Sequence, residues 1–263
     1  MEFDFIALLH DLTYNLAWEW LILLFVAAII AGCVDSIAGG GGLIVLPALL
    51  AAGIPAPLAL ATNKLQSWGG TGYASYYFIK KGLVKPKECK LMILAAFIGS
   101  TIGAWLLFYL KLEFLNILIP ILLIVVGVYF LFQPNLGKME RIAKLSPIAF
   151  ALIPAFFIAF YDGFFGPGTG TFLTLAFVSL AGYQLIKATA HAKLLNFISN
   201  ISAMLYFVLF EQVIWGVGFM MLAGQIIGSM VGSRLVLKQG NRLIRPLLVV
   251  ISFAIAGKIL LEQ

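Results

Sequence analysis

The sequence predicts an all-α polytopic membrane protein of two inverted repeats, each a glycine-broken helical hairpin followed by three transmembrane helices. Three observations predict it. Of 263 residues, 62% are hydrophobic and only 11% charged, against about 25% charged in a soluble domain that must wet its surface; the mean hydropathy is +1.06. The apolar runs are continuous and reach the roughly 20 residues that cross a hydrocarbon core as a helix, without the period-two alternation of a membrane β-barrel. Two runs are short, each follows a glycine-rich break, and the breaks occupy matching places in the two halves of the chain.

Residues 1–19 carry Glu2, Asp4, Asp11 and Glu19 but no Lys or Arg. They lack the basic start of a cleaved signal peptide, so the first apolar run is expected to stay in the mature protein. Apolar segments then fall at 20–38, 43–53, 57–79, 91–110 and 114–132, and again at 147–165, 171–182, 185–210, 213–236 and 245–261. Segments 43–53 and 171–182 are too short to span alone. Gly39, Gly40, Gly41 and Gly42 precede the first; Gly166, Pro167, Gly168, Thr169 and Gly170 precede the second. Glycine breaks a helix through backbone entropy and proline through its missing N–H. Inside a membrane such a break persists only where protein or water satisfies the freed backbone groups. The first repeat is drawn over 1–137 with hairpin 20–53, the second over 138–263 with hairpin 147–182, in a single membrane domain.

The halves match residue by residue. Asp35 stands four residues before Gly39, as Asp162 does before Gly166, and Ala61-Thr-Asn-Lys-Leu65 answers Ala190-His-Ala-Lys-Leu194. The offset is 127 residues at the aspartates and 129 at the lysines. Paired interrupted segments in repeated halves point to the binding site of a secondary transporter. Orientation comes from charge: Lys80, Lys81, Lys85, Lys87 and Lys90 crowd one loop, Lys138, Arg141 and Lys144 a second, Arg234, Lys238, Arg242 and Arg245 a third. Short basic loops stay in the cytoplasm, which places 80–90, 138–144 and 234–245 there. Segment 57–79 then runs inward and 185–210 outward, inverting the halves if each hairpin enters and leaves on one side. A plain span over 20–38, with the short piece lying flat, is the alternative.

Several residues carry chemistry in this frame. The N–H groups that open each short helix have no intrahelical acceptor, so their positive dipole end attracts an anion; close packing by small residues is the other reading. Lys64 and Lys193 lie within apolar segments at equivalent positions. They face a cavity or partner, or snorkel from near a helix end. Thr189, Lys193, Asn196 and Asn200 share one helix face at i, i+4, i+7 and i+11, and Thr62, Gln66, Gly69 and Tyr73 have the same spacing beside Asn63 and Lys64. Helix–helix hydrogen bonding competes with ligand binding for the amides. Asp35 and Asp162 read equally as proton or coupling-ion carriers, as ion-pair partners of Lys64 or Lys193, or as caps of the breaks. His191 either adds charge and carries protons or is a packing residue.

The excluded classes are as informative. Cys33 and Cys89 make no metal-ligand spacing and no disulfide framework, and no metal or cofactor is expected. No Gly-x-Ser-x-Gly, His-Glu-x-x-His or phosphate-binding loop occurs, so an enzyme is not expected. The net charge of +6 reports cytoplasmic loops rather than nucleic acid.

Asp35-Ser-Ile-Ala-Gly-Gly-Gly-Gly-Leu-Ile-Val-Leu-Pro47 with Ala61-Thr-Asn-Lys-Leu-Gln66 resembles the sulfite exporter TauE/SafE family of membrane transporters. So does Tyr161-Asp-Gly-Phe-Phe-Gly-Pro-Gly-Thr-Gly170 with Lys187-Ala-Thr-Ala-His-Ala-Lys-Leu-Leu-Asn196. The resemblance covers nearly the whole chain and is greatest to the bacterial inner-membrane branch, whose members carry a transporter name without a substrate. It implies secondary transport of sulfite, a sulfonate or a related sulfur or carboxylate anion. It also carries the family's glycine-rich segments onto Gly39–Gly42 and Gly166–Gly170, and its polar segments onto Thr62–Gln66 and Thr189–Asn196. Pro167 and Thr169 interrupt the second glycine run, so the two breaks are not chemically equivalent. The expected function is alternating-access transport of a small anion held by the broken-helix N-termini with Lys64 and Lys193, with Asp35 and Asp162 handling any coupled proton. An anion channel and a membrane scaffold or subunit without transport are the alternatives. The expected partners are the anion and the bilayer, with a homodimer left open.

Overall fold

The computed structural model describes residues 14–107, 128, 137–210, 213–244 and 246–250, and every regular element among them is helical. Helix α1 (Trp18–Ala38) ends at the first break, and α2 (Gly42–Ala51) and α3 (Ala56–Lys80) follow it. A 3-10 turn at Pro86–Cys89 leads into α4 (Lys90–Leu106). The second half repeats the order with α5 (Pro147–Phe164), α6 (Thr169–Ser179), α7 (Leu185–Leu209) and α8 (Trp215–Gln239). Helix α5 carries a π turn over Ala151–Ala155, where Pro154 has no N–H to give the regular ladder. All of the expected segment 114–132 but residue 128, the end of 91–110 and most of 245–261 lie outside the described residues.

Helices α1, α5, α7, α8 and the stretch Pro86–Leu106 are long and apolar enough to cross a membrane. Helix α3 has the length, at 25 residues, but not the hydropathy, because its middle is polar. It tolerates this because it lies between α7 and α8 and is exposed only at Pro57, Tyr76 and Lys80. The outer helices instead present apolar stripes: Ile22, Val26 and Ile30 on α1 are about half exposed at the i, i+4, i+8 spacing of one face. In water such a patch would drive association; here it meets lipid. The chain is a multi-pass membrane protein.

The packing of one half recurs in the other. Helix α1 packs chiefly on α8 and α5 chiefly on α4, while α3 lies against α8 as α7 lies against α4. The correspondence reaches single atoms. A Cβ at Gly228 would stand 1.9 Å from the Ile29 carbonyl oxygen, and one at Gly99 would stand 2.5 Å from that of Phe156. Gly232 abuts the Cys33 carbonyl as Gly103 abuts that of Phe160. Ser229 Oγ donates to the Gly70 carbonyl at 2.7 Å, and Ser100 Oγ to the Ser199 carbonyl at 2.6 Å. These pairs are related by the offsets of 127 and 129 residues seen in the sequence. Without side chains, backbones approach closely enough for dispersion to hold helices together where lipid removes the hydrophobic drive.

Backbone hydrogen bonds show how the second hairpin is made. Arg141 N–H donates to Gly182 and Lys144 N–H to Leu180, at 2.7 and 2.8 Å, tying the strand of chain before α5 to the one after α6. Ring centroids of Phe150 and Phe177 lie 4.5 Å apart near this base, and those of Tyr161 and Phe172 lie 5.5 Å apart nearer the break. Helix α6 therefore folds back along α5, and segment 147–182 enters and leaves at one end. Leu185 N–H and Asn241 Nδ2 both donate to the Gly137 carbonyl, and Val84 and Cys89 share one apolar cluster with Phe177, Leu185 and Ile244. All three basic loops thus gather at this end. Helix α2 packs back on α1, and Leu16, Leu21, Ala52, Ile54 and Leu58 of the first hairpin's base join Ile214 and Met221 in a separate cluster.

Gly228→Val should cost about 1–3 kcal/mol or more, because the new side chain must push α8 off α1. Ile30→Ala, on the lipid face, should stay within about 0.5 kcal/mol. Thermal unfolding of the purified variants in detergent measures both.

Candidate functional site

The two glycine breaks meet. Gly39 (φ 85°) and Gly166 (φ 98°) stand at equivalent positions in the left-handed region, where a Cβ would be strained. Gly39 closes α1, its N–H donating to the Asp35 carbonyl at 2.8 Å. A Cβ on Gly39 would stand 2.3 Å from the Gly170 carbonyl carbon, and one on Gly170 would stand 2.6 Å from the Gly39 Cα. Thr171 Oγ1 completes the crossing by donating to the Ala38 carbonyl at 2.6 Å. The breaks are in backbone contact because both halves put glycine there.

Around this crossing two ion pairs are exchanged between the halves. Lys64, on α3, donates to Asp162 Oδ1 at 2.8 Å and also to the Asp162 carbonyl. Lys193, on α7, donates to Asp35 Oδ2 at 3.0 Å. The lysines are 1% and 0% exposed, so neither snorkels: each reaches the carboxylate of the opposite half. A charge so placed stays charged only against a partner. Asp162 also accepts from Thr169 Oγ1 at 2.9 Å and from Ser199 Oγ. Among the described residues the Asp35 carboxylate accepts in addition only the Gly41 N–H, at 3.3 Å. Of the three readings of the aspartates, the ion pair is present in both halves.

Beside the pairs is a cavity of about 20 Å³, lined by Asp35, Gly39, Gly42, Asn63, Lys64, Ser67, Thr71, Asp162, Gly166, Asn196 and Asn200. That volume suits about one water molecule. The lining is charged groups, amides, hydroxyls and glycine backbone, a set that can hold an oxyanion by charge-assisted hydrogen bonds.

The structure sorts the expected residues. It brings Asp35, Gly39, Gly42, Asn63, Lys64, Asp162, Gly166 and Asn196 to the cavity, with Lys193 and Gly170 adjoining through Asp35 and Gly39. Gly41 gives its amide to Asp35, and Thr169 gives its hydroxyl to Asp162. Gly40 and Gly168 belong to the breaks without lining the cavity. Gln66 Nε2 bonds Asn63 and Ser67, one layer behind, and Thr189 is buried with no partner for its hydroxyl among the described residues. His191 is elsewhere: its ring lies against Phe177 and Tyr183, 5.4 and 4.8 Å between centroids, with Nδ1 2.8 Å from the Lys187 carbonyl oxygen. The packing reading of His191 fits this place.

The stripe on α3 is corrected by one residue. Thr62 meets the backbone N–H of Ile214, and Gly69 abuts Leu222 of α8; the face toward the cavity is Asn63, Ser67 and Thr71. Aligning the stripes by spacing alone missed this. The 129-residue offset at the lysines would have matched Ser67 to Asn196 and Thr71 to Asn200. Ser199, which donates to Asp162, was missed as well. Among the described residues no group of three or more His, Cys, Asp or Glu could hold a metal.

Residues 24–259 match the family model described as "Sulfite exporter TauE/SafE". "Probable membrane transporter protein YfcA" of Escherichia coli (strain K12) is 50% identical over 240 residues, 91% of this chain and 89% of the relative. "Probable membrane transporter protein ORF9" of Sinorhizobium sp is 46% identical over 248 residues, covering 94% and 95%. "Probable membrane transporter protein" of Haemophilus influenzae is 44% identical over 245 residues, covering 93% and 96%. No solved structure matches the chain.

Removing one member of a buried pair strands the other charge, at a cost of about 3–5 kcal/mol, whereas removing both is far milder. Lys64→Met should therefore lower the melting temperature sharply, and Lys64→Met/Asp162→Asn should recover most of it. A double-mutant cycle of thermal unfolding measures the difference.

Proposed function

Because the chain belongs to the sulfite exporter TauE/SafE family, we propose that it is a secondary transporter of a small anion, sulfite, an organosulfonate or a related carboxylate. The carrying observation is the crossing of two glycine breaks beside two exchanged, buried Lys–Asp pairs. The anion binds between the breaks, on glycine backbone and the amides of Asn63, Asn196 and Asn200, with the lysines as its countercharge.

Alternating access is supported by the smallness of the cavity: an anion of several heavy atoms passes only if the two hairpins move apart. A channel needs a standing path instead. The two halves are read as inverted repeats. The second hairpin opens at the end where the basic loops gather, and the first hairpin's base clusters with Ile214 and Met221. Basic loops on the cytoplasmic side of a bacterial inner membrane complete the orientation. The quartet of two lysines and two aspartates is neutral as it stands. A lone monoanion added to it would leave a net buried charge, which is costly in so poor a dielectric. Anion uptake is therefore coupled to a cation, and a carboxylate in the quartet makes the proton the simplest one.

Two measurements test this. Lys193→Gln should reduce anion flux in liposomes at least about tenfold, a loss of ~1.4 kcal/mol or more in transition-state binding, while the protein still elutes as a folded species. Wild-type protein should melt higher with its anion present, by about 2.7 kcal/mol of stabilisation at one hundred times Kd. Flux undiminished in Lys193→Gln would remove Lys193 from the mechanism, and no thermal response to sulfite, sulfonates or carboxylates would remove the anion.

A further inference from the structure

The two ion pairs are related by the repeat but differ in how they are held. Asp162 is ligated on both oxygens: Lys64 and Thr169 on Oδ1, Ser199 on Oδ2. Asp35 has Lys193 on Oδ2 and one long amide bond from Gly41 on Oδ1, with no hydroxyl donor among the described residues. The difference is written in the sequence. By the two offsets, the places of Thr169 and Ser199 are occupied in the first half by Gly42 and Gly70. Each hydroxyl that donates to Asp162 is replaced, at Asp35, by a hydrogen atom.

Hydroxyl and lysine donors favour the charged form of a carboxylate, and losing them favours the neutral acid. Asp162 keeps two neutral donors whatever Lys64 does. Asp35 without Lys193 keeps one weak one. Its other charged neighbours at the crossing are Lys64 and Asp162, already joined to each other. Helices α2 and α6 bring no ionisable side chain to it; Cys33 lies with its backbone against Gly228 and Gly232 of α8, and the Tyr161 phenol is tied to the Pro167 carbonyl.

Resting on the anion reading above, we propose that Asp35 is the proton-carrying, exchangeable carboxylate of the site, and that Lys64–Asp162 is a latch that stays closed through the cycle. In the empty carrier Asp35 occupies Lys193. The arriving anion takes Lys193 in its place, and Asp35 takes one proton from water on the same side, so that one negative and one positive charge cross together. On the far side the anion leaves, the proton returns to water, and Asp35 recaptures Lys193. Asp35 is thereby an internal stand-in for the substrate anion.

The test is the ratio of proton to anion flux in proteoliposomes, with methanesulfonate, sulfoacetate and sulfite in turn; a change of rate alone does not move this ratio. Wild type should carry about one proton per anion, and for the monoanion methanesulfonate a one-unit pH gradient then drives roughly tenfold accumulation. Asp35→Asn, whose amide can still accept from Lys193, should carry anion without protons and lose the accumulation. Gly42→Thr returns a hydroxyl to the position from which Thr169 serves Asp162, and a Cβ there meets only ordinary contacts, Asn63 Nδ2 at 3.4 Å and Pro167 Cα at 3.7 Å. It should move the pH dependence of flux to lower pH by ~1 unit, a tenfold change in proton concentration. An unchanged proton-to-anion ratio in Asp35→Asn overturns the assignment, as does complete loss of anion flux in a folded Asp35→Asn. If that variant is not recovered folded, Gly42→Thr decides, and an unshifted pH profile overturns it. A wild type that moves none of the three anions removes instead the anion reading on which the assignment rests.

Discussion

Four charges sit where two helices break, and each lysine is paired with the aspartate of the other half. That exchange is the constraint on which the rest depends. A lysine at the centre of a membrane helix is expensive, and neither half can neutralise its own. The halves must therefore come together with their breaks in contact, and the crossing must be free of side chains to let the lysines through. Glycine at 39 and 170 meets that demand: a side chain on either would collide with the backbone of the other.

The outer scaffold serves the same crossing. Gly228 and Gly232 bring α8 onto α1, and Gly99 and Gly103 bring α4 onto α5, each with its Cβ position against a carbonyl oxygen. These contacts fix the two long helices whose ends carry Asp35 and Asp162. Helices α3 and α7 are held in the middle, one lysine each, and can afford polar faces because α8 and α4 keep them from lipid.

Much of this was legible in the sequence, and the reason is physical. Membrane helices must satisfy their backbone internally, so apolar length alone locates them, and α1, α5, α7 and α8 follow the expected segments within a few residues. Glycine runs in such helices mark breaks, and the repeat supplied the second break and the second lysine from the first. What was not legible was which face of α3 looks inward. Polar residues occur on two adjacent faces there, Thr62 and Gln66 on one, Asn63 and Ser67 on the other, and i, i+4 spacing alone does not choose between them. The partner of each lysine was also hidden, because sequence proximity places Asp35 with Lys64 whereas the fold places it with Lys193. His191, two residues before Lys193, belongs to an aromatic cluster on nearly the opposite face, since two steps along a helix turn a side chain by about 200°.

The central claim is that the anion sits at the crossing of the breaks, and locating the anion tests it most directly. Selenite has the shape and charge of sulfite and carries an anomalous scatterer. Crystals of the protein grown with selenite should show selenium density between the two breaks, within hydrogen-bonding reach of Lys193 and of the amides of Asn63 and Asn196, with Asp35 displaced from Lys193. Selenium density confined to the basic loops, with the crossing unchanged and Asp35 still on Lys193, would contradict it.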